Sequence, residues 1–106
     1  MYKKERERLR IYIGEGDRRN GHPLYRVILE EASRLNIAGV SVFKGLSGFG
    51  ANSQIHFAEI LRLSENLPIL IEVVDESEKL DGLLVFLENV MDGGMILRDP
   101  VNVVWP

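Results

Sequence analysis

The sequence contains no cysteine, so it has no disulfide framework, no thiolate nucleophile and no thiolate metal site, and the fold must stand on packing or assembly alone. That usage fits a reducing compartment, and a cytoplasmic location is the expectation. No apolar run approaches the roughly 18 residues of a bilayer-spanning helix. The basic start, Lys3 to Arg10, alternates with Glu5 and Glu7 and lacks the apolar stretch of a signal peptide. A soluble protein without direct membrane insertion is therefore expected, with this start read as a solvated lead-in to a strand. Positive charge is also scarce, since 13 Lys and Arg face 16 Asp and Glu. Five of those cations lie within the first ten residues, so the net −3 conceals a more acidic body. Nucleic-acid binders gain most of their affinity by neutralising phosphates, and this balance disfavours a nucleic-acid partner.

What is present suits one domain, residues 1–106, because domains most often run about 100–150 residues. Leu9, Ile11 and Ile13 alternate with Arg8, Arg10 and Tyr12, the period of a strand buried on one face. Gly14-Glu15-Gly16 ends it. Pro23 suits a first helical position, and Leu24, Val27, Ile28, Ala32 and Leu35 then recur along one helical face, with Asn36 and Gly39 bracketing the end. Residues 38–44 read as a second strand. Pro68 opens a β-branched run through Val74. Asp75 and Glu78 have the spacing of a capping box before a helix whose stripe is Leu80, Leu83, Leu84, Leu87 and Met91. Gly93-Gly94 stops that helix, and Met95-Ile96-Leu97 forms a fourth strand that Pro100 is expected to break. Most carboxylates between Glu72 and Asp99 read as a solvated face.

Two β-α-β halves of equal plan predict an α+β, ferredoxin-like β-α-β-β-α-β fold, with an antiparallel four-stranded sheet and both helices on one face. The other face is left open, and burial by self-association in a closed ring is expected. Between the second and third strands lies an extended loop, residues 45–67, and a connection of this length is usually functional or disordered. Gly45, Gly48 and Gly50 permit close approach of backbone amides to an anion, and Asn52, Ser53, Gln54 and His56 add neutral hydrogen-bonding groups. Residues 55–63 fit a short helix or a strand equally well. Gly45 and Gly50 have the spacing of a phosphate loop, but Ala51-Asn52 stand where Lys-Ser/Thr is required. Gly14 and Gly16 open a dinucleotide pattern that Arg19 closes wrongly.

The order of small motifs resembles the PII signalling protein family, and closely its short PII-like branch. Ile37-Ala38-Gly39-Val40-Ser41-Val42, followed by Lys44-Gly45, is similar to the PII second strand. Gly48-Phe49-Gly50 and then His56 resemble the start of that family's T-loop. Leu67-Pro68 with Ile71-Glu72-Val73-Val74 resembles the return strand, and Asp92-Gly93-Gly94-Met95-Ile96-Leu97 with Pro100-Val101 resembles the B-loop and fourth strand.

The resemblance implies a non-enzymatic homotrimer that binds an adenine nucleotide in each cleft between subunits, with no obligatory cofactor. It further implies a T-loop that changes shape with the ligand and docks on a transporter or enzyme. By carry-over, Gly45, Gly48, Phe49 and Gly50 line the T-loop side, and Asp92, Gly93 and Gly94 line the B-loop side. The lysine that follows the family's B-loop glycine is absent, as are a T-loop tyrosine and the arginines of a C-terminal loop. With fewer cations the site is expected to accept ADP or AMP as well as ATP. Lys44 and Arg98, with Arg18 or Arg19, are the candidates for phosphate charge. An alternative of the same fold is a CutA-type trimer that binds a metal or an anion, using His22 and His56. No paired carboxylates, Ser-His-Asp order or metal motif points to catalysis.

Overall fold

In the computed structural model, which describes residues 3–48, 56–57 and 67–106, the first strand extends well beyond Leu9 to Ile13, and β1 runs Lys4–Gly14. The basic lead-in is thus part of the sheet rather than a solvated approach to it. Its alternation is the reason. Glu5 and Glu7 share a face with Leu9, Ile11 and Ile13, whereas Lys4, Arg6, Arg8 and Arg10 share the opposite face.

A short ribbon, β2 (Arg18–Arg19) against β3 (His22–Pro23), leads into α1 (Leu24–Arg34). Pro23 caps the helix rather than occupying its first turn, and Leu24, Ile28 and Ala32 form its buried stripe at successive four-residue steps. Then follow β4 (Gly39–Lys44), a second ribbon of β5 (Ser47–Gly48) against β6 (His56–Phe57), β7 (Pro68–Asp75), α2 (Ser77–Val90) and β8 (Met95–Val103). His56 and Phe57 are therefore strand; the rest of the 55–63 alternative lies outside the described residues.

The sheet order is β4-β7-β1-β8, with every neighbouring pair antiparallel. This is the ferredoxin-like order anticipated from the two equal halves. Ile11 sits opposite Ile71 and Ile96, and Leu9 opposite Val73, so one side of the central strands is continuously apolar. It packs with Leu24 and Ile28 of α1 and Leu80, Leu83 and Leu87 of α2 in a single core. At about 25 cal/mol per Å² of apolar surface removed from water, such a cluster supplies the main drive for folding.

Two local expectations are corrected. Pro100 does not break the last strand, because β8 is an edge strand and Pro100 lies within it opposite Glu7. A proline is accepted where its nitrogen faces away from the ladder. Nor does Asp75 make a capping box with Glu78, since α2 begins after Glu76 and has no side-chain cap. Asp75 is instead buried, at 4% exposure. Its Oδ2 accepts the Ala38 N–H at 2.8 Å and its Oδ1 accepts the Glu76 N–H at 2.6 Å. The carboxylate thus fastens the α1–β4 connection to the start of α2, while Glu72 and Asp99 turn to the open sheet face in ion pairs.

Candidate functional site

Four strand ends meet at one end of the sheet. Gly14 closes β1 opposite Pro68, which opens β7; Lys44 closes β4 opposite Ile69; and Met95 opens β8 opposite Tyr12. The antiparallel order therefore gathers the entry and exit of the 45–67 segment and the 92–94 turn at a single end. Lys44 and the 92–94 turn belong to opposite edge strands, however, with β7 and β1 between them. At about 4.8 Å per strand the two edges stand roughly 14 Å apart.

On the β4 side, the Gly45 N–H donates to the Pro68 carbonyl at 2.7 Å, and the Glu15 N–H donates to the Leu67 carbonyl at 2.8 Å. The chain approaches so closely that a Cβ on Gly45 would lie 2.6 Å from Pro68 Cγ. Gly14 donates to Asp17 Oδ2 at 2.9 Å, which fixes the turn after β1. Lys44 Nζ and Glu15 Oε2 form an ion pair at 2.7 Å. Arg18 and Arg19 are exposed in the short ribbon beyond that turn. On the β8 side, Gly94 has φ +83°, and a Cβ there would lie 2.5 Å from the Tyr12 carbonyl oxygen. Asp92, Gly93 and Gly94 are exposed.

The structure thus places Lys44 and Gly45 at one edge of this end, and Asp92, Gly93 and Gly94 at the other. Gly48 lies in β5 opposite His56, while Phe49 and Gly50 lie outside the described residues. Arg98 is elsewhere. It shares a row with Leu9 on the helix-covered face, where it donates to Asp81 Oδ1 at 2.7 Å, to Glu7 and to the Ser77 hydroxyl at 2.9 Å. The hydrogen bonds from Arg98, then that with Ser77, hold the Glu7 carboxyl below the usual carboxylate range. Bonds to Asp81 and Glu7 raise Arg98 above its ordinary value. Its two carboxylate partners, Glu7 and Asp81, balance the guanidinium charge there.

Glu15, which the sequence presents only as part of a strand-ending turn, is the carboxylate that the fold brings to Lys44. A carboxylate between two glycines, directly after a buried strand, was the available signal. His22 is exposed in β3. Among the described residues no group of three or more His, Cys, Asp or Glu is placed to hold a metal ion, and no helix is long and apolar enough to cross a membrane.

The open sheet face divides in two. Phe43, Leu70, Tyr12 and Met95 stand side by side in one row at the end just described. Phe43 is 52% and Met95 51% exposed, and Leu97, one row on, is 40% exposed. Farther along, Arg10 pairs with Glu72 at 3.7 Å, Arg8 with Asp99 at 2.7 Å and Arg6 with Glu76 at 3.6 Å. An open groove near Glu7, Ser77, Pro100 and Asn102 lies at the opposite end of the molecule.

Comparison with known proteins agrees with this architecture. A UPF0166 protein of Methanocaldococcus jannaschii is 39% identical over 96 residues, covering 90% of this chain and 88% of the relative. Among solved structures, CPII from Thiomonas intermedia K12, a nitrogen regulatory PII-like protein bound to ADP, AMP and bicarbonate, superposes with a TM-score of 0.71 at 16% identity, over 99% of this chain and 93% of that one. A putative PII-like signaling protein from Thermus thermophilus gives 0.67 at 18% identity, over 98% and 94%. At these identities the structural likeness establishes the fold. The pattern of the DUF190 family, described as an uncharacterized ACR, matches residues 6–103. The chain belongs to the DUF190 (UPF0166) family, built on the PII-like version of the ferredoxin-like fold.

Proposed function

We propose that this protein is a non-enzymatic regulatory trimer that binds an adenine nucleotide between subunits and uses residues 45–67 as a ligand-responsive loop acting on a partner protein, a transporter or enzyme. One observation carries the reading: two glycine-containing turns, at 45 and at 93–94, open from the same end of the sheet but from opposite edges. A single phosphate group, only a few ångströms across, cannot touch both turns within one chain. Neighbouring copies, each offering the opposite edge, complete the site between them. The partly exposed row of Phe43, Tyr12, Leu70 and Met95 gives such an assembly an apolar surface to cover beside that site. The nucleotide-bound CPII structure supports the choice of ligand.

In this reading Lys44 supplies phosphate charge, Gly45, Gly48, Phe49 and Gly50 form the wall on the loop side, and Asp92, Gly93 and Gly94 form the facing wall. Arg98 keeps its structural partners. The trimer is expected in the cytoplasm. Calorimetric titration with ATP, ADP and AMP tests the proposal. Binding at one site per chain is the expected result, and no heat and no thermal stabilisation with any of the three would overturn it.

A further inference from the structure

Lys44 is not a free cation in the described structure. Its ammonium meets Glu15 at 2.7 Å, with the two side chains 52% and 31% exposed. The carboxylate comes from the end of β1 and the ammonium from the end of β4, so the pair crosses the start of β7, the strand between them. Both ends are held. Glu15 is tied through its N–H to Leu67, and the residue after Lys44 is tied through its N–H to Pro68, each at less than 3 Å. The Gly14 and Asp17 bonds fix the turn that presents the carboxylate. Partial exposure leaves the pair breakable, because an ion pair facing water is worth little on its own.

We propose that Glu15 is a specificity-determining residue of the nucleotide site, an internal counter-anion that cancels Lys44 and so disfavours the more highly charged phosphate ligands. The inference rests on the nucleotide-binding reading above and adds to it the residue that sets phosphate selectivity. A phosphate that approaches Lys44 either displaces the carboxylate or shares the cation with it. In both cases the local charge it meets is near zero rather than +1, and the repulsion from Glu15 grows with each added phosphate charge. Nothing comparable acts on the adenine or ribose, so the effect follows ligand charge.

The experiment compares the full-length wild type with Glu15→Gln, Lys44→Gln and the double variant, titrating AMP, ADP and ATP at one ionic strength. Glu15→Gln is expected to tighten binding of ATP by about threefold or more, ADP by less and AMP least. Lys44→Gln is expected to weaken binding in the same order. The double variant, which has the wild-type charge, is expected to return to the wild-type ratio of ATP to AMP affinity. Equal gains for all three ligands, weaker binding by Glu15→Gln, or a gain that survives in the double variant would overturn the role of Glu15 and leave the nucleotide reading standing. Should neither the wild type nor Glu15→Gln bind any of the three, the nucleotide reading falls and the role of Glu15 falls with it. Lys44→Gln supplies a second, opposite reading if Glu15→Gln does not fold.

Discussion

Arg8 and Asp99 face each other across β1 and β8 on the open side of the sheet, with Nε donating to Oδ1 at 3.1 Å and Nη2 to Oδ2 at 2.7 Å. Two parallel bonds from a planar guanidinium fix geometry as well as charge. Arg6 and Arg10 have their own carboxylates at Glu76 and Glu72. A second chain covering this face would therefore bury cations already matched to anions, which avoids the large cost of burying an unpaired charge.

Acid is expected to weaken the fold through these pairs. Hydrogen bonds from Arg8 hold the Asp99 carboxyl below its ordinary 3.8, and hydrogen bonds from Arg98 hold that of Glu7 below 4.5. A carboxyl with a depressed folded-state pKa stabilises fully above its unfolded value, and the contribution disappears as pH falls through the lower folded value. Urea midpoints should hold steady from neutral pH to about 5 and then decline below 4.5. Asp99→Asn and Glu7→Gln should each reduce that decline. A midpoint that does not change down to about pH 3 would contradict the assignment.

Replacing Asp75 tests the buried junction between the two halves. Asp75→Ala leaves the Ala38 and Glu76 amides without their acceptors, and a loss of about 2–4 kcal/mol is expected in chemical unfolding. Asp75→Asn retains one oxygen and should lose less. Equal, small losses for both would mean that water replaces the carboxylate.

Two glycines should respond in opposite directions to alanine. Gly82 lies inside α2 with nothing within 4 Å of an added Cβ, so Gly82→Ala is expected to stabilise by about 0.5–1 kcal/mol. Gly94 combines φ +83° with the Tyr12 carbonyl 2.5 Å from the added atom. Gly94→Ala should lower the melting temperature by several degrees, about 1–3 kcal/mol.

Assembly is expected to depend on the apolar row. Light scattering should give three times the chain mass for the wild type and close to the single-chain mass for Phe43→Glu, which sets a charge opposite Leu70 on a half-exposed edge position. A stable wild-type monomer at micromolar concentration would remove the trimer from the proposed function.

Much of the fold was legible because its signals are local. The alternation at Leu9, Ile11 and Ile13, the stripe Leu24, Val27, Ile28, Ala32 and Leu35, and the stripe Leu80, Leu83, Leu84, Leu87 and Met91 each point to one face whatever the partner; nine of these thirteen are buried, and Val27, Leu35, Leu84 and Met91 are partly so. The candidate site was legible only in part. Spacing and resemblance single out Lys44, Gly45 and Gly94 as candidates, whereas Glu15 reads as turn material because its contact with Lys44 depends on β4 arriving beside it. The surroundings of Arg98 were not legible for the reciprocal reason: its partners Glu7 and Asp81 lie on other elements, 91 and 17 residues away in sequence.

By itself, the sequence determined the order of elements, the identity of the core face and the presence of a long insertion between the second and third strands. Side-chain periodicity and turn residues act within a few positions, and they suffice for that. Only the tertiary structure decided which charges meet and which glycines crowd a neighbour. It carried β1 back to Lys4, kept Pro100 within an edge strand and turned Asp75 from a helix cap into a buried tie. Strand order set these outcomes, because an antiparallel sheet brings Lys44 to Glu15 and Arg98 to Glu7 across distances that no local pattern spans.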